Sequence, residues 1–168
     1  MKQILAALAL ILLVFTTTAQ AKDLTHRLGV GYANQMSVEV PSISAKYWLD
    51  ADMGFSADLG IQTGNNDSAF GIMVKAYKVI FPEENLNFYM GGGAGLISQK
   101  ISTSNGGNGE NDSGFELMTM VGAEFFMPGL ESLSFSFEAG VGVISIRSDS
   151  EFRTIGHSPL NAGMTFYF

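Results

Sequence analysis

Apolar and polar side chains alternate one by one along most of this chain. From Met53 to Gln62, the side chains of Met53, Phe55, Ala57, Leu59 and Ile61 fall on one face of an extended ribbon. Gly54, Ser56, Asp58, Gly60 and Gln62 fall on the other. A period of two is the signature of a strand, whereas a helix repeats every 3.6 residues. Leu133 to Val143 repeats the pattern, with Leu133, Phe135, Phe137, Ala139, Val141 and Val143 opposite Ser134, Ser136, Glu138, Gly140 and Gly142. In Asn85 to Ser98, the side chains of Leu86, Phe88, Met90, Ala94 and Leu96 oppose Asn87, Tyr89, Gly91, Gly93 and Gly95. No helical period competes after the first 21 residues. The sequence predicts an all-β fold.

Eight strands follow from the pattern, at about 23–34, 41–49, 52–62, 69–81, 85–99, 115–127, 132–146 and 159–168. Connections near Asp50, Pro82-Glu83-Glu84 and Pro128-Gly129-Leu130 are tight. Those at Gln35–Val40, Thr63–Ser68, Lys100–Gly114 and Arg147–Ser158 are mostly longer and rich in Gly, Asn, Ser and Asp. Short and long connections alternate. In an antiparallel up-and-down barrel this gathers the short turns at one rim and the long loops at the other.

The first 21 residues stand apart. Lys2 precedes an apolar run from Ile4 to Phe15, and Ala19-Gln20-Ala21 places small residues where a signal peptidase reads. This is a secretory signal, with cleavage expected before Lys22 and one mature domain over 22–168. Lys2 is one of nine Lys and Arg residues, so the mature chain carries 8 against 16 acids, a formal charge of −8. That balance gives no electrostatic reason to bind nucleic acid. There is no cysteine, hence no disulfide. Only 15% of residues are charged, while Gly (20), Phe (13) and Met (9) abound.

The two faces decide the environment. One is too apolar to meet water in every strand, and the other too polar to pack as a core. A barrel in lipid satisfies both, with apolar side chains outward, polar ones inward, and no open backbone edge. At eight strands the interior is just wide enough to be filled by side chains. The registers send Arg27, Lys46, Asp58, Lys75, Glu116, Glu124 and Glu138 inward. Buried charges persist when paired, so an internal ion-pair network is expected rather than an open pore. Lys78 falls on the lipid face, where its ammonium must snorkel to an interface.

The final residues Leu160-Asn161-Ala162-Gly163-Met164-Thr165-Phe166-Tyr167-Phe168 alternate and end on an aromatic. This resembles the C-terminal signal that bacterial barrel-assembly machinery recognises, with Gly163, Phe166 and Phe168 its most characteristic positions. Asn87-Phe88-Tyr89-Met90-Gly91-Gly92-Gly93-Ala94-Gly95-Leu96 resembles the Tyr-then-Gly strand of the small OmpX, Ail and OmpA barrel-domain group. The resemblance implies a monomeric eight-stranded transmembrane β-barrel in a Gram-negative outer membrane, with both termini periplasmic. It implies no enzyme activity, cofactor or metal. The work is then envelope integrity or surface interaction through the external loops.

Other constellations in the sequence carry other readings. His157-Ser158, near Asp149 and Glu151, supplies a base, a hydroxyl and an acid for acyl hydrolysis. A lipid A acyl hydrolase using His157, Ser158 and Glu151 is therefore an alternative. A secreted, lipocalin-like barrel binding an apolar ligand is another, and it needs the apolar face inside. His26 reads as an interfacial side chain. Gly106-Gly107-Asn108-Gly109-Glu110-Asn111 approaches the calcium-binding Gly-Gly-x-Gly-x-Asp repeat, but ends in Asn and occurs once. Gly91–Gly95 has no following Lys-Ser/Thr and is not a phosphate loop. Trp48, Tyr47, Phe81, Phe125, Phe126, Phe166, Tyr167 and Phe168 lie near one set of strand ends, and those facing lipid fit an interfacial girdle. Lys100, Arg147 and Arg153 sit in or beside the long loops and could meet lipopolysaccharide phosphates.

Overall fold

The computed structural model describes residues 23–34, 36, 40–64, 68–101, 110–147, 149–155 and 160–168. The leader and the His157-Ser158 pair lie outside them, as do residues 106–109 of the glycine-rich motif. Among the described residues nine strands form: β1 (Leu28–Ala33), β2 (Ser42–Trp48), β3 (Met53–Thr63), β4 (Ser68–Glu83), β5 (Leu86–Ile101), β6 (Glu110–Met127), β7 (Leu130–Ile146), β8 (Asp149–Thr154) and β9 (Asn161–Tyr167). All pairings are antiparallel, and each of β1 to β7 pairs with the next strand in sequence. β9 joins β7 to β1 and closes the ring.

The strand expected at 159–168 is β9, but the eighth ribbon has a second piece, β8, which corrects the loop expected at Arg147–Ser158. β7 pairs β9 through Leu133–Glu138 and β8 through Val141–Ile146. The chain leaves β7 at a tight turn where Arg147 adopts φ 56°. It then runs back as β8. Ile155 ends that piece, its N–H donating to Gly140 O at 3.0 Å and its side chain buried. The Asn161 side-chain amide donates to Ile155 O at 3.0 Å and ties the start of β9 to the same place.

Three further boundaries differ from expectation. Residues 23–27 form a turn rather than strand, with His26 exposed at φ 61°. β5 and β6 run on to Ile101 and Glu110, shortening the loop expected at Lys100–Gly114. Leu130 opens β7 instead of completing a turn. The short connections themselves have local causes. Asp50 Oδ1 accepts from the N–H groups of Asp52 (3.0 Å) and Met53 (2.7 Å), an Asx turn. At Pro128-Gly129 the glycine takes φ 83°, as the third position of a type II turn requires.

One row of paired residues defines the geometry. It runs Phe135, Met164, Tyr32, Ile43, Leu59, Ile72, Leu96, Phe115 and Ser145, returning to β7 ten residues from its start. Eight strands with a shear of ten give a tilt of about 40°. Until Ser145 every member of that row is apolar, and from Met164 to Phe115 each is exposed on the outer wall.

The inner rows alternate bulky and small residues. One reads Trp48, Gly54, Tyr77, Gly91, Met120, Gly140. Another reads Tyr167, Gly29, Lys46, Ser56, Lys75, Gly93, Met118, Gly142. A large side chain thus leans over the bare backbone of its neighbour strand. A Cβ on Gly54 would lie 2.8 Å from the Trp48 ring. Gly54→Val is therefore expected to cost about 1–3 kcal/mol by overpacking. A lowered urea midpoint, or loss of the folded band on an unheated gel, measures it.

Candidate functional site

The described interior has a polar tier between two apolar ends. At the end bearing the short turns, Leu24, Val79 and Phe126 are buried; towards the other, Met36, Val40, Ile97, Ile144 and Ile155 are buried. Between them sit Lys46, Asp58, Lys75, Glu116, Glu124 and Glu138, each at most 4% exposed. These are the inward charges expected from the alternation.

They form pairs that no local pattern links. Lys46 Nζ lies 3.0 Å from Glu124 Oε2. The other oxygen of Glu124 accepts from Ser134 Oγ (2.7 Å) and from the Tyr167 hydroxyl (2.8 Å). Tyr167 in turn accepts from Trp48 Nε1 at 3.1 Å. Lys75 Nζ lies 2.9 Å from Asp58 and 3.5 Å from Glu138, whose second oxygen accepts from Tyr89 at 2.7 Å. Aromatic faces complete the shell. Lys46 Nζ stands 4.6, 5.0 and 5.4 Å from the ring centres of Tyr77, Tyr89 and Trp48, within cation–π range. Tyr77 meets Tyr89 edge to face at 5.1 Å. Asp58 Oδ1 and Asn87 Oδ1 have no hydrogen-bond partner among the described residues.

Arg27 is set apart from this tier. It is half-buried at the turn end, donating to Ser132 Oγ and Tyr167 O at 3.2 Å each. Glu116 is buried on β6 opposite Gly95 and Ile144. Of the expected girdle, Tyr47, Phe81, Phe125, Phe166 and Phe168 are exposed on the outer wall, whereas Trp48, Phe126 and Tyr167 point inward. Gly163 is buried on β9, opposite Ala33 and Ser136.

Lys78 does face outward, and it has a partner that sequence reading missed. Its ammonium donates to Asp52 Oδ2 at 2.9 Å, across the row from β4 to the β2–β3 turn. At the loop end, Arg147 pairs with Asp112 at 2.5 Å. Glu151 and Arg153 lie on β8, with Arg153 half-buried. Lys100 is half-buried on β5, opposite Ser68 and Asn111. A groove of about 600 Å³ also crosses the outer wall, over Ala76, Gly91, Thr119 and Ala139. No cluster of metal-ligating side chains occurs among the described residues.

With this geometry, comparison with known proteins is informative about the fold. The N-terminal β-barrel domain of Pseudomonas aeruginosa OprF superposes with a TM-score of 0.58 at 14% identity, over 86% of this chain and 98% of that one. The fold is that of the small outer-membrane β-barrels. Neisserial surface protein A superposes similarly, with a TM-score of 0.54 and 17% identity over 84% of this chain and 95% of its own. No family model and no curated protein sequence matches. The outer-membrane barrel fold therefore stands on shape, closure and the orientation of the two faces.

Two outcomes follow from the charges. Lys75→Met leaves Asp58 and Glu138 without their shared cation, and breaking such a buried pair costs about 3–5 kcal/mol. Urea unfolding of the detergent-folded protein measures it, and adding Asp58→Asn should recover part of the loss. Asp52, in its turn, accepts a hydrogen bond from Lys78, and that bond and the ammonium charge hold its carboxyl below the ordinary value of 3.8. The pair is present at neutral pH and lost as pH falls through that lowered value. An NMR titration of Asp52 should have its midpoint below 3.8, returning towards it in Lys78→Gln.

Proposed function

We propose that this protein is an integral outer-membrane barrel that works without chemistry, holding its external strand ends and loops for envelope integrity or surface interaction. The observation that carries the reading is the inversion of its faces. Phe55, Leu59 and Phe137 are 39%, 42% and 46% exposed on the outer wall, while lysines and carboxylates fill the centre. In water such a wall would be one continuous sticky patch. In a bilayer it is matched to its solvent, and each of β1–β7 and β9 is paired on both sides, as closure in hydrocarbon requires.

This arrangement speaks against a soluble ligand-binding barrel, which requires Phe55, Leu59 and Phe137 inside. The orientation proposed puts the short turns in the periplasm and the loop end outside, as in bacterial barrels generally. A packed interior of Trp48, Tyr77, Tyr89 and Tyr167 around two lysines supports an anchor rather than a conduit.

The expected behaviour is retention in the membrane pellet after carbonate washing, together with slower gel migration after boiling. Planar-bilayer conductance should stay near zero, and lipid A should keep its acyl pattern in cells expressing the protein. Release by carbonate would sink membrane residence. A change in lipid A acylation that Ser158→Ala abolishes would replace the anchor with an enzyme.

A further inference from the structure

We infer that Lys100 and the shallow cleft beneath it bind the phosphate-bearing sugar headgroup of an outer-leaflet glycolipid. This inference rests on the outer-membrane reading above. The cleft, of about 220 Å³, opens on the outer wall where β3, β4 and β5 reach the loop end, and includes Ile61, Thr63, Ser68, Phe70, Ser98 and Lys100.

The strand register orders these residues along each strand towards the loop end. Leu59, Ile72, Leu96 and Phe115 form an apolar row on the outer wall. The next outward row up is Ile61, Phe70, Ser98 and Ser113, and the one above it Thr63, Ser68 and Lys100. Within two rows the wall changes from hydrocarbon to hydroxyl. Ser98 and Ser113 are hydrogen-bonded at 3.0 Å, and further round Ser145 and Ser150 at 3.2 Å. Because the rows climb towards the loop end from β3 to β7, Ser98 and Ser113 stand nearer that end than Ile61 and Phe70, and hydroxyls take over there from hydrocarbon. Paired hydroxyls that donate and accept suit sugar hydroxyls.

Lys100 supplies the charge. Of the three loop-end cations, Arg147 is engaged by Asp112, and Arg153 lies half-buried on β8, away from this cleft. Lys100 forms no ion pair with any described residue. It is a point charge on a flexible stem, placed over hydroxyls and an apolar floor, which suits the phosphate of a lipid whose chains lie below.

The test uses the mature chain folded in detergent, with native mass spectrometry reading bound lipid. Diphosphoryl lipid A and its dephosphorylated form are the probes, with inorganic phosphate as competitor. Lys100→Gln should weaken retention of diphosphoryl lipid A by about tenfold, the loss of one charge-assisted hydrogen bond. Lys100→Arg should retain it, Arg153→Gln should match the parent, and the dephosphorylated lipid should not distinguish Lys100→Gln from the parent. Equal retention of diphosphoryl lipid A by parent and Lys100→Gln overturns the inference, as does displacement by inorganic phosphate, which marks a free-anion site. If carbonate releases the protein from membranes, both this inference and the residence beneath it fall. If it stays and Lys100→Gln binds normally, only the lipid site falls.

Discussion

The closure of β9 onto β1 is the constraint on which every other feature depends. Five residue pairs, from Gly29–Tyr167 to Ala33–Gly163, turn an open sheet into a ring. Without them β1 and β9 would each present an unpaired edge, and unsatisfied backbone groups in hydrocarbon cost several kcal/mol apiece. Closure also converts alternation into inside and outside. Once the ring is shut, a one-residue slip in any strand would send its phenylalanines into the centre and its charges into lipid. The side-chain pattern and the seam therefore enforce one another.

The interior is expensive and specific. Two lysines and four carboxylates sit where water is excluded, and a buried ion pair often gains little over an apolar substitute. What such pairs provide here is register. Lys46 reaches Glu124 across the ring, from β2 to β6, and Lys75 reaches Asp58 on β3 and Glu138 on β7. The two matches to Glu124 and Glu138 hold only when all the intervening strands are correctly aligned. The glycines serve the same end by a different route. Tyr89 lies over Gly122 and Tyr167 over Gly29, so a shifted strand would drive a ring into a side chain. Charge and volume select the same alignment.

These facts explain what was legible in the sequence. Which residues face inward is a local property, readable from alternation, and Asp58, Lys75, Glu116, Glu124 and Glu138 were found that way. Which of them meet is not local. Lys46 and Glu124 are 78 positions apart with no signal of their contact, because it arises from shear around a closed ring. Lys78 is the same lesson in reverse, since its partner Asp52 belongs to a turn read only for its tightness. β8 was missed for a compositional reason. Asp149-Ser150-Glu151-Phe152-Arg153-Thr154 is as polar as a loop, and it pairs only with the loop-end part of β7, from Val141 to Ile146. Alternation reports burial against lipid, and a strand above the lipid loses that contrast.

The strands differ widely in length. β1, β2 and β9 have 6, 7 and 7 residues, whereas β5, β6 and β7 have 16, 18 and 17. At a rise near 3.3 Å per residue and a tilt of about 40°, the longest wall stands about 45 Å high against an apolar band of about 25 Å. The shortest reaches about 15 Å along its own side. Among the described residues the ring is therefore cut obliquely, and it is the β4–β8 side whose strands β4 to β7 are long enough to pass the hydrocarbon. That side bears Ser98, Lys100, Ser113, Ser145 and Ser150 on its outer surface, with Ser98, Ser113 and Ser145 each the next outward position beyond Leu96, Phe115 and Val143 on the same strand. Hydroxyl groups take over from hydrocarbon where the long strands outgrow the short ones. The slanted rim, the split eighth ribbon and the polar belt are thus one consequence of unequal strand lengths on a ring whose closure forbids any strand from shifting to compensate.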